Sequence, residues 1–154
     1  MTLLHQLLWG SLYLCICLLI EGTLLLVCIS VLQWLGKRLL GIMTIGHNAV
    51  LLLTSLAFIL LAHSLQVWVW AVAFVFSGAL PDWNTAVYFS LISYTALGYG
   101  DVVLGPGLRI FGGFSAVTGL LAFGISTAFL VAVLGQALRQ TMHIGSGDHE
   151  HDHK

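Results

Sequence analysis

Long apolar segments make up most of the chain, and three of them are long enough to cross a bilayer, which takes about 20 helical residues. They cover approximately residues 7–35, 42–76 and 108–138. The second segment is longer than one crossing needs, so we expect it to tilt or to project beyond the lipid. The pattern predicts an all-α membrane protein with three transmembrane helices.

A shorter and more polar stretch separates the second apolar segment from the third. It opens at Pro81 and Asp82, continues through an aromatic-rich segment at 83–95 and closes at Pro106. Asp82 is a suitable N-cap for a short helix over 83–95. Non-helical backbone at membrane depth is tolerated only inside protein or beside water. We therefore expect a re-entrant helix and a loop that lie inside an oligomer.

The loop after this short helix alternates glycine with bulkier residues. Residues 95–101, which we call the filter segment, have the sequence Thr-Ala-Leu-Gly-Tyr-Gly-Asp. Glycine adopts positive φ at no steric cost, so Gly98 and Gly100 allow ordinary and left-handed residues to alternate. This alternation turns successive carbonyls to one side, where a row of them can replace the water around a dehydrated cation. Because one chain provides a single row, several chains must surround a common axis.

Residues 80–134 resemble the pore domain of tetrameric potassium channels, in particular the short prokaryotic-type channels with one pore loop. The resemblance rests on the Gly-Tyr-Gly-Asp motif at 98–101, the preceding helix stretch 88–95 and the apolar stretch 119–129. It implies a homotetramer surrounded by membrane lipid, with K⁺ as the permeant ion. It also implies that ions bind along the filter segment, at Thr95, Ala96, Leu97, Gly98, Tyr99 and Gly100.

The same resemblance gives other residues supporting roles. Tyr88 and Phe89 are similar to an aromatic cuff around the filter, and Asp101 is the carboxylate at its outer end. Gly119 matches a gating hinge of the inner helix, although small residues also favour close helix packing in membranes. The residues that the resemblance places along a water-filled cavity below the filter are Leu120, Phe123 and Thr127.

The chain departs from the family pattern at two positions. Ala96 occupies the place where the family usually has threonine, so the innermost ion site lacks a side-chain oxygen. Ile92 occupies the place where many relatives carry an acidic residue behind the filter. Besides a potassium-selective channel, Ala96 keeps open a nonselective monovalent cation channel. The added first helix keeps open a non-conducting membrane subunit or scaffold.

The composition excludes several other classes of protein. Only 7% of the residues are charged, whereas a soluble domain carries about 25%. With a net charge of −1 and no basic stripe, the chain is not expected to bind nucleic acid. No nucleophile, acid–base pair or nucleotide loop is visible, so we expect no enzyme and no cofactor beyond the K⁺ ligand. No arginine-rich helix exists, so steep voltage gating is not expected.

Basic residues predict the orientation through the positive-inside rule. Lys37 and Arg38 lie between the first two apolar segments, and Arg139 follows the third. The rule predicts a multi-pass protein of the plasma membrane (the cell inner membrane), with the N-terminus outside and the C-terminus in the cytoplasm. Four tryptophans fit aromatic belts at the membrane interfaces, namely Trp9, Trp34, Trp68 and Trp70.

The chain divides into three parts. Residues 1–41 contain an additional transmembrane helix and a cytoplasmic turn, residues 42–140 contain the pore domain, and residues 141–154 form a flexible tail. The pore domain comprises an outer helix, a pore helix, the filter and an inner helix. Imidazole and carboxylate are suitable zinc or nickel ligands, so the tail predicts either a weak metal site or a disordered polar extension. The histidines of that site are His149, His151 and His153.

Two polar residues lie deep in the apolar segments. Glu21 is near the middle of the first segment, where a carboxylate is costly and is by default a hypothesis for a functional site. His63 lies at comparable depth in the second segment and is one expected partner. The alternatives are a protonated Glu21, or a Glu21 that bonds Thr54 or Ser55. A structural role and a pH-sensing or gating role both remain open.

Overall fold

The computed structural model describes residues 2–38 and 44–147, which contain four helices and no strand. Three of the helices are long and apolar enough to cross a membrane, over Leu3–Arg38, Gly46–Phe76 and Arg109–Gln136. The predicted all-α class with three transmembrane helices and a short fourth helix is therefore confirmed. The full elements are α1 (Leu3–Arg38), α2 (Thr44–Phe76), α3 (Trp83–Tyr94) and α4 (Arg109–Gly147).

The long helices extend beyond the apolar segments that predicted them, because backbone hydrogen bonds do not stop at the first polar side chain. α1 ends at Lys37 and Arg38, whose positive charges suit the partly negative C-terminal end of a helix. α4 continues to Gly147, so residues 141–147, which we predicted as the first part of the flexible tail, are helical. Glycine lowers helix stability by only about 1 kcal/mol, and α4 contains no proline. Outside the described residues lie His149, His151 and His153.

The short helix α3 begins where its capping residue predicted. Asp82 is the N-cap, with an extended backbone at φ −146° and ψ 162°. Its Oδ1 accepts a hydrogen bond from the Thr85 amide at 2.9 Å, and its Oδ2 accepts one from the Thr85 hydroxyl at 2.7 Å. Both bonds favour the carboxylate and hold the pKa of Asp82 below its ordinary value. The local sequence therefore determines where α3 begins.

Aromatic rings fill the core where α1, α2 and α4 meet. The Trp70 ring lies 5.5 Å from Phe111 and 5.6 Å from Phe74, and Tyr13 of α1 packs against Trp70 at 5.8 Å. Trp70 is fully buried, so its predicted place in an interfacial belt is wrong. Its ring lies on the face of α2 that α1 and α4 cover, whereas Trp68, on another face, is 53% exposed.

The additional helix α1 is tied to the start of α4. The Gln6 side-chain oxygen accepts hydrogen bonds from the backbone amides of Ile110 at 3.2 Å and Phe111 at 3.4 Å. These amides belong to the first turn of α4, whose N–H groups have no partner within the helix. Gly10 then allows the Phe114 ring to lie directly against the α1 backbone, in space that a Cβ atom would occupy. α1 therefore caps and packs on α4 rather than standing apart from it.

Candidate functional site

The filter segment has the alternating backbone that its glycines predict. Positive φ occurs at Ala96 (56°), Gly98 (52°) and Gly100 (79°), and among the described residues Ala96 is the one non-glycine with this conformation. A left-handed conformation costs roughly 1–2 kcal/mol in a residue with a Cβ atom. The alternation thus begins one step earlier than the glycines alone indicate, at a strained alanine.

The last turn of α3 holds the first half of the filter segment. The Ile92 carbonyl accepts hydrogen bonds from the amides of Leu97 at 2.9 Å and Gly98 at 3.0 Å, and the Ala96 amide donates to Ser93 at 2.8 Å. The backbone of Ile92, rather than an acidic side chain at that position, supports the loop. The partly negative C-terminal end of α3 lies beside the same segment, which favours a cation and disfavours an anion there.

The carbonyls of the filter segment are unpaired. Within the part of the chain that the structure describes, no carbonyl from residue 95 to residue 100 accepts a hydrogen bond. Backbone carbonyls are obligatory hydrogen-bonding groups, and residues 95–100 are all exposed in the single chain. This row of oxygens is therefore available to water, to another chain or to a cation.

Tyr88 connects α3 to the other end of the filter segment. Its hydroxyl donates a hydrogen bond to Asp101 Oδ2 at 2.5 Å, and Asp101 Oδ1 accepts one from the Val102 amide at 3.0 Å. The Tyr88 bond is the main reason that the pKa of Asp101 lies below its ordinary value. The same bond raises the pKa of the Tyr88 phenol. The sequence did not identify this partner for Asp101.

The two aromatic residues of the expected cuff lie in different surroundings. Phe89 is buried and packs edge-on against Phe74 at 5.1 Å, whereas Tyr88 is 38% exposed. Tyr99 is 68% exposed and makes no hydrogen bond within the described chain. The cuff residues of the same chain therefore support Asp101 and the core rather than the Tyr99 ring.

The residues expected on the inner helix do not share one environment. Gly119 is buried against α3, where a Cβ atom would overlap the Tyr94 carbonyl oxygen. Phe123 turns toward α2 and α3, with its ring 4.6 Å from His63 and 5.7 Å from Tyr94. Leu120 is 61% exposed and Thr127 is also exposed, so both remain candidates for a cavity surface. Close packing against α3 is thus sufficient to explain why a glycine occupies position 119. The role of Gly119 as a gating hinge remains a prediction.

Glu21 is fully buried, but its partners differ from those expected. Its carboxylate accepts hydrogen bonds from Gln66 Nε2 at 2.7 Å and from the Ser126 hydroxyl at 2.5 Å. Thr54 and Ser55 instead donate to carbonyls of their own helix, so that hypothesis is wrong. The sequence contained one indication of Gln66, since it lies three residues after His63 and thus on the same face of α2.

No group of three or more metal-ligating side chains occurs among the described residues. The predicted zinc or nickel site in the tail lies outside them.

The geometry above agrees with a comparison to known families. A sequence model described as "Ion channel" matches residues 49–136, more than half of the chain. The match includes most of α2, all of α3, the filter segment and α4 as far as Gln136, and it leaves out α1. Searches of curated proteins and of solved structures found no match. With three helices of transmembrane length around the matched region, the chain belongs to the ion channel family as a multi-pass membrane protein.

Proposed function

We propose that the chain is the subunit of a homotetrameric potassium channel. Four filter segments around one axis would surround a single file of dehydrated K⁺ ions with backbone carbonyls. The observation that supports this most strongly is the left-handed backbone at Ala96, Gly98 and Gly100, together with the unpaired carbonyls of residues 95–100. No covalent chemistry is involved, since ions move down their electrochemical gradient.

The surroundings of the filter segment support assembly with other copies. Leu97 is 55% exposed and Tyr99 68% exposed in the single chain. A groove of about 380 Å³ lies beside the segment and is lined in part by Gly112 and Gly113 of α4. Since lipid cannot satisfy the carbonyls of this loop, neighbouring protein and a water-filled pore are the environments that suit it.

The remaining assignments follow from the tetramer. Asp101, held by Tyr88, lies at the outer mouth, while Leu120 and Thr127 face the cavity on the other side of the filter. Lys37 and Arg38 at the end of α1 orient the subunit in the plasma membrane with its N-terminus outside. K⁺ and membrane lipid are then the expected partners, with no nucleic acid and no organic cofactor.

A nonselective monovalent cation channel is the second candidate, and one observation favours it. Ala96 contributes a carbonyl but no hydroxyl to the innermost ion site. Fewer ligands at that site weaken the replacement of the hydration shell, which reduces the discrimination between K⁺ and Na⁺. The two candidates share the pore and differ in the permeability ratio.

Reconstitution into liposomes tests the proposal. We expect K⁺ flux that exceeds Na⁺ flux, a K⁺-directed bi-ionic potential and block by barium. Gly98→Val should abolish the flux, since a β-branched residue does not tolerate φ of 52°. Gly22→Ala, where the added Cβ meets open space at an ordinary φ, is the matched control and should conduct normally.

Each other outcome has a defined meaning. Equal Na⁺ and K⁺ permeability would replace the selective channel by the nonselective one. A folded tetramer that passes no monovalent cation would overturn conduction and favour a non-conducting membrane subunit.

A further inference from the structure

Side chains from all four helices form a closed ring inside the bundle. Around the ring, Glu21 contacts Ser126 at 2.5 Å, Ser126 contacts His63 Nε2 at 3.3 Å, and His63 Nδ1 contacts the Tyr94 hydroxyl at 2.8 Å. Tyr94 contacts Gln66 Oε1 at 3.1 Å, and Gln66 Nε2 returns to Glu21 at 2.7 Å. Glu21 and Gln66 are fully buried, and Tyr94 is 1% exposed. The ring joins the additional helix to the pore helix and the inner helix.

Counting hydrogens fixes part of the ring. The Tyr94 hydroxyl has one hydrogen, which it donates to the Gln66 oxygen. Tyr94 must then accept from His63, so His63 Nδ1 carries a proton. Gln66 Nε2 has no acceptor capacity and donates to Glu21 Oε2. The positions of the remaining hydrogens can vary only between Glu21 Oε1 and His63 Nε2, which the Ser126 hydroxyl connects.

The Ser126 hydroxyl also has a single hydrogen, so this part closes in two ways. If Ser126 donates to an ionised Glu21, His63 Nε2 must donate to Ser126, which makes His63 an imidazolium. If Ser126 donates to a neutral His63, then Glu21 must be protonated and donate to Ser126. Both arrangements hold the same number of protons, both satisfy each link, and both are electrically neutral overall.

Any other proton count leaves a defect. If one proton is removed, the Ser126–His63 contact has no hydrogen and the ring carries a net negative charge. If one proton is added, Ser126 receives two donors and the ring carries a net positive charge. An uncompensated charge inside an apolar bundle is strongly unfavourable, so the ring resists both changes.

No other charged group lies close enough to compensate a net charge on the ring, within the part of the chain that the structure describes. The further titratable group that faces the ring is Cys17 of α1, one turn before Glu21 and close to Tyr94. α2 and α3 contribute His63 and Tyr94, which are already members. α4 contributes Ser126 as a member, and the aromatic side chain of Phe123 packs against His63; neither side chain titrates. Among the described residues, no Lys, Arg or Asp side chain bonds to the ring.

The ring meets the filter through the end of α3. Tyr94 is the last residue of α3, and its carbonyl packs directly against Gly119 of α4. The carbonyl of Ile92, two residues earlier, accepts the two hydrogen bonds from backbone amides that hold the filter segment. A change at Tyr94 therefore changes the support of the filter.

We propose that Glu21 and His63 share one proton through Ser126, and that this proton locks the end of the pore helix to the inner helix. Glu21 is thus a positioning residue for the filter, and α1 is the element that delivers it. Gain or loss of the shared proton opens the ring and releases both helices.

The first test measures stability against pH and does not depend on conduction. In the unfolded chain Glu and His titrate at about 4.3 and 6.5. Above about pH 6.5 the unfolded pair holds no proton while the folded ring holds one, so stability falls as pH rises. Below about 4.3 the unfolded pair holds two, so stability falls as pH decreases. We call these two regions of falling stability the alkaline limb and the acid limb. Along each of them the unfolding equilibrium constant changes by up to tenfold per pH unit.

Two isosteric variants separate the limbs. Glu21→Gln can accept from Gln66 and donate to Ser126, so its ring is closed with His63 neutral and no shared proton. Its stability should be flat above about pH 6.5 and should fall below it, because the unfolded chain then takes up a proton on His63, so the acid limb begins at about 6.5 instead of about 4.3. His63→Gln should lose the acid limb, and its alkaline limb should begin at about pH 4.3 instead of about 6.5, because the unfolded Glu side chain alone then releases the proton that the folded ring holds. Differences from the wild type cancel the contributions of all other titrating groups.

Ser126→Ala tests the central link against a matched control. Ser115 lies on the same helix, is fully buried, and donates to its own-helix Gly112 carbonyl. We expect Ser126→Ala to lower the unfolding midpoint clearly more than Ser115→Ala does. If the substituted proteins fail to fold, infrared titration of the wild type measures the same proton, because Glu21 is the one buried carboxyl among the described residues.

The second test measures K⁺ flux against pH and rests on the proposed function. We expect a bell-shaped profile in the wild type, with the alkaline limb absent in Glu21→Gln. An absence of flux at every pH with the two-limbed stability profile intact would refute conduction and leave the ring standing. An alkaline limb of stability unchanged in Glu21→Gln would overturn the shared proton, as would an infrared titration in which the buried carboxyl gains its proton at about pH 4.3, as a free carboxyl does.

Discussion

The Tyr88 hydroxyl and the Asp101 carboxylate, 13 residues apart, share a 2.5 Å hydrogen bond that joins the pore helix to the last residue of the filter segment. Both groups are solvent-accessible, and the bond lowers the pKa of Asp101 from its ordinary value of 3.8. A lowered pKa means that the folded protein favours the carboxylate. The stability from this bond is present above pH 3.8 and is lost as pH falls through the folded-state pKa.

Tyr88→Phe removes the hydroxyl and keeps the ring. We expect the Asp101 pKa to return toward 3.8, and the unfolding midpoint to drop at neutral pH by an amount that shrinks as pH falls below that value. Thermal unfolding across pH measures both effects. Tyr13→Phe, whose hydroxyl makes no hydrogen bond in the described chain, is the control and should show no such pH dependence.

Gly119→Ala tests the contact between α3 and α4. The new Cβ atom would overlap the Tyr94 carbonyl oxygen, which is backbone and cannot move away cheaply. Forcing extra volume into a packed contact costs roughly 1–3 kcal/mol. Gly124→Ala on the same helix meets nothing within 4 Å, and should stabilise the helix by up to about 1 kcal/mol. Opposite shifts in the unfolding midpoint are expected, and equal shifts would contradict the close approach.

Ala96→Ser adds a hydroxyl at the innermost position of the filter segment without a β-branch. We expect the K⁺ over Na⁺ permeability ratio to rise, because the added oxygen supplements the carbonyl ligands. Ala96→Gly is the control, since it relieves φ of 56° but adds no oxygen. Bi-ionic potentials compare the variants. A ratio that rises equally in both would assign the effect to backbone strain instead of the hydroxyl.

Gln6→Leu removes the cap that α1 gives to α4. Loss of a capping side chain costs about 1 kcal/mol, within a range of 0.5–2, and the Ile110 and Phe111 amides are the groups left without an acceptor. The unfolding midpoint should fall. Gln33→Leu, the same change at an exposed position of α1, is the control and should change it little. Identical behaviour of the two variants would argue against the cap.

Local sequence rules predicted the features that depend on neighbouring residues. Asp82 as a cap follows from its side chain, and left-handed Gly98 and Gly100 follow from the absence of a Cβ atom. The left-handed Ala96 could not be predicted in this way, since alanine has no preference for it. Its conformation is set by the Ile92 and Ser93 carbonyls that hold the amides around it.

Contacts between helices were harder to predict, and Glu21 illustrates the reason. A helix that is apolar all round has no hydrophobic stripe, so its sequence does not indicate which face turns inward. The choice of Gln66 and Ser126 over Thr54 and Ser55 depends on the rotation of three helices about their axes. The burial of Trp70 has the same origin, since α1 covers the face that carries it.

The attachment of α1 restricts where the inner helix can bend. Gln6 is hydrogen-bonded to the first turn of α4, and Glu21 is hydrogen-bonded to Ser126, about four turns further along the same helix. A swing of the inner helix that preserves both hydrogen-bonded contacts must pivot beyond Ser126, in the stretch that contains Gly135. A pivot nearer the filter segment would first have to break a hydrogen bond with α1. The additional helix therefore restricts bending of the inner helix between Ile110 and Ser126.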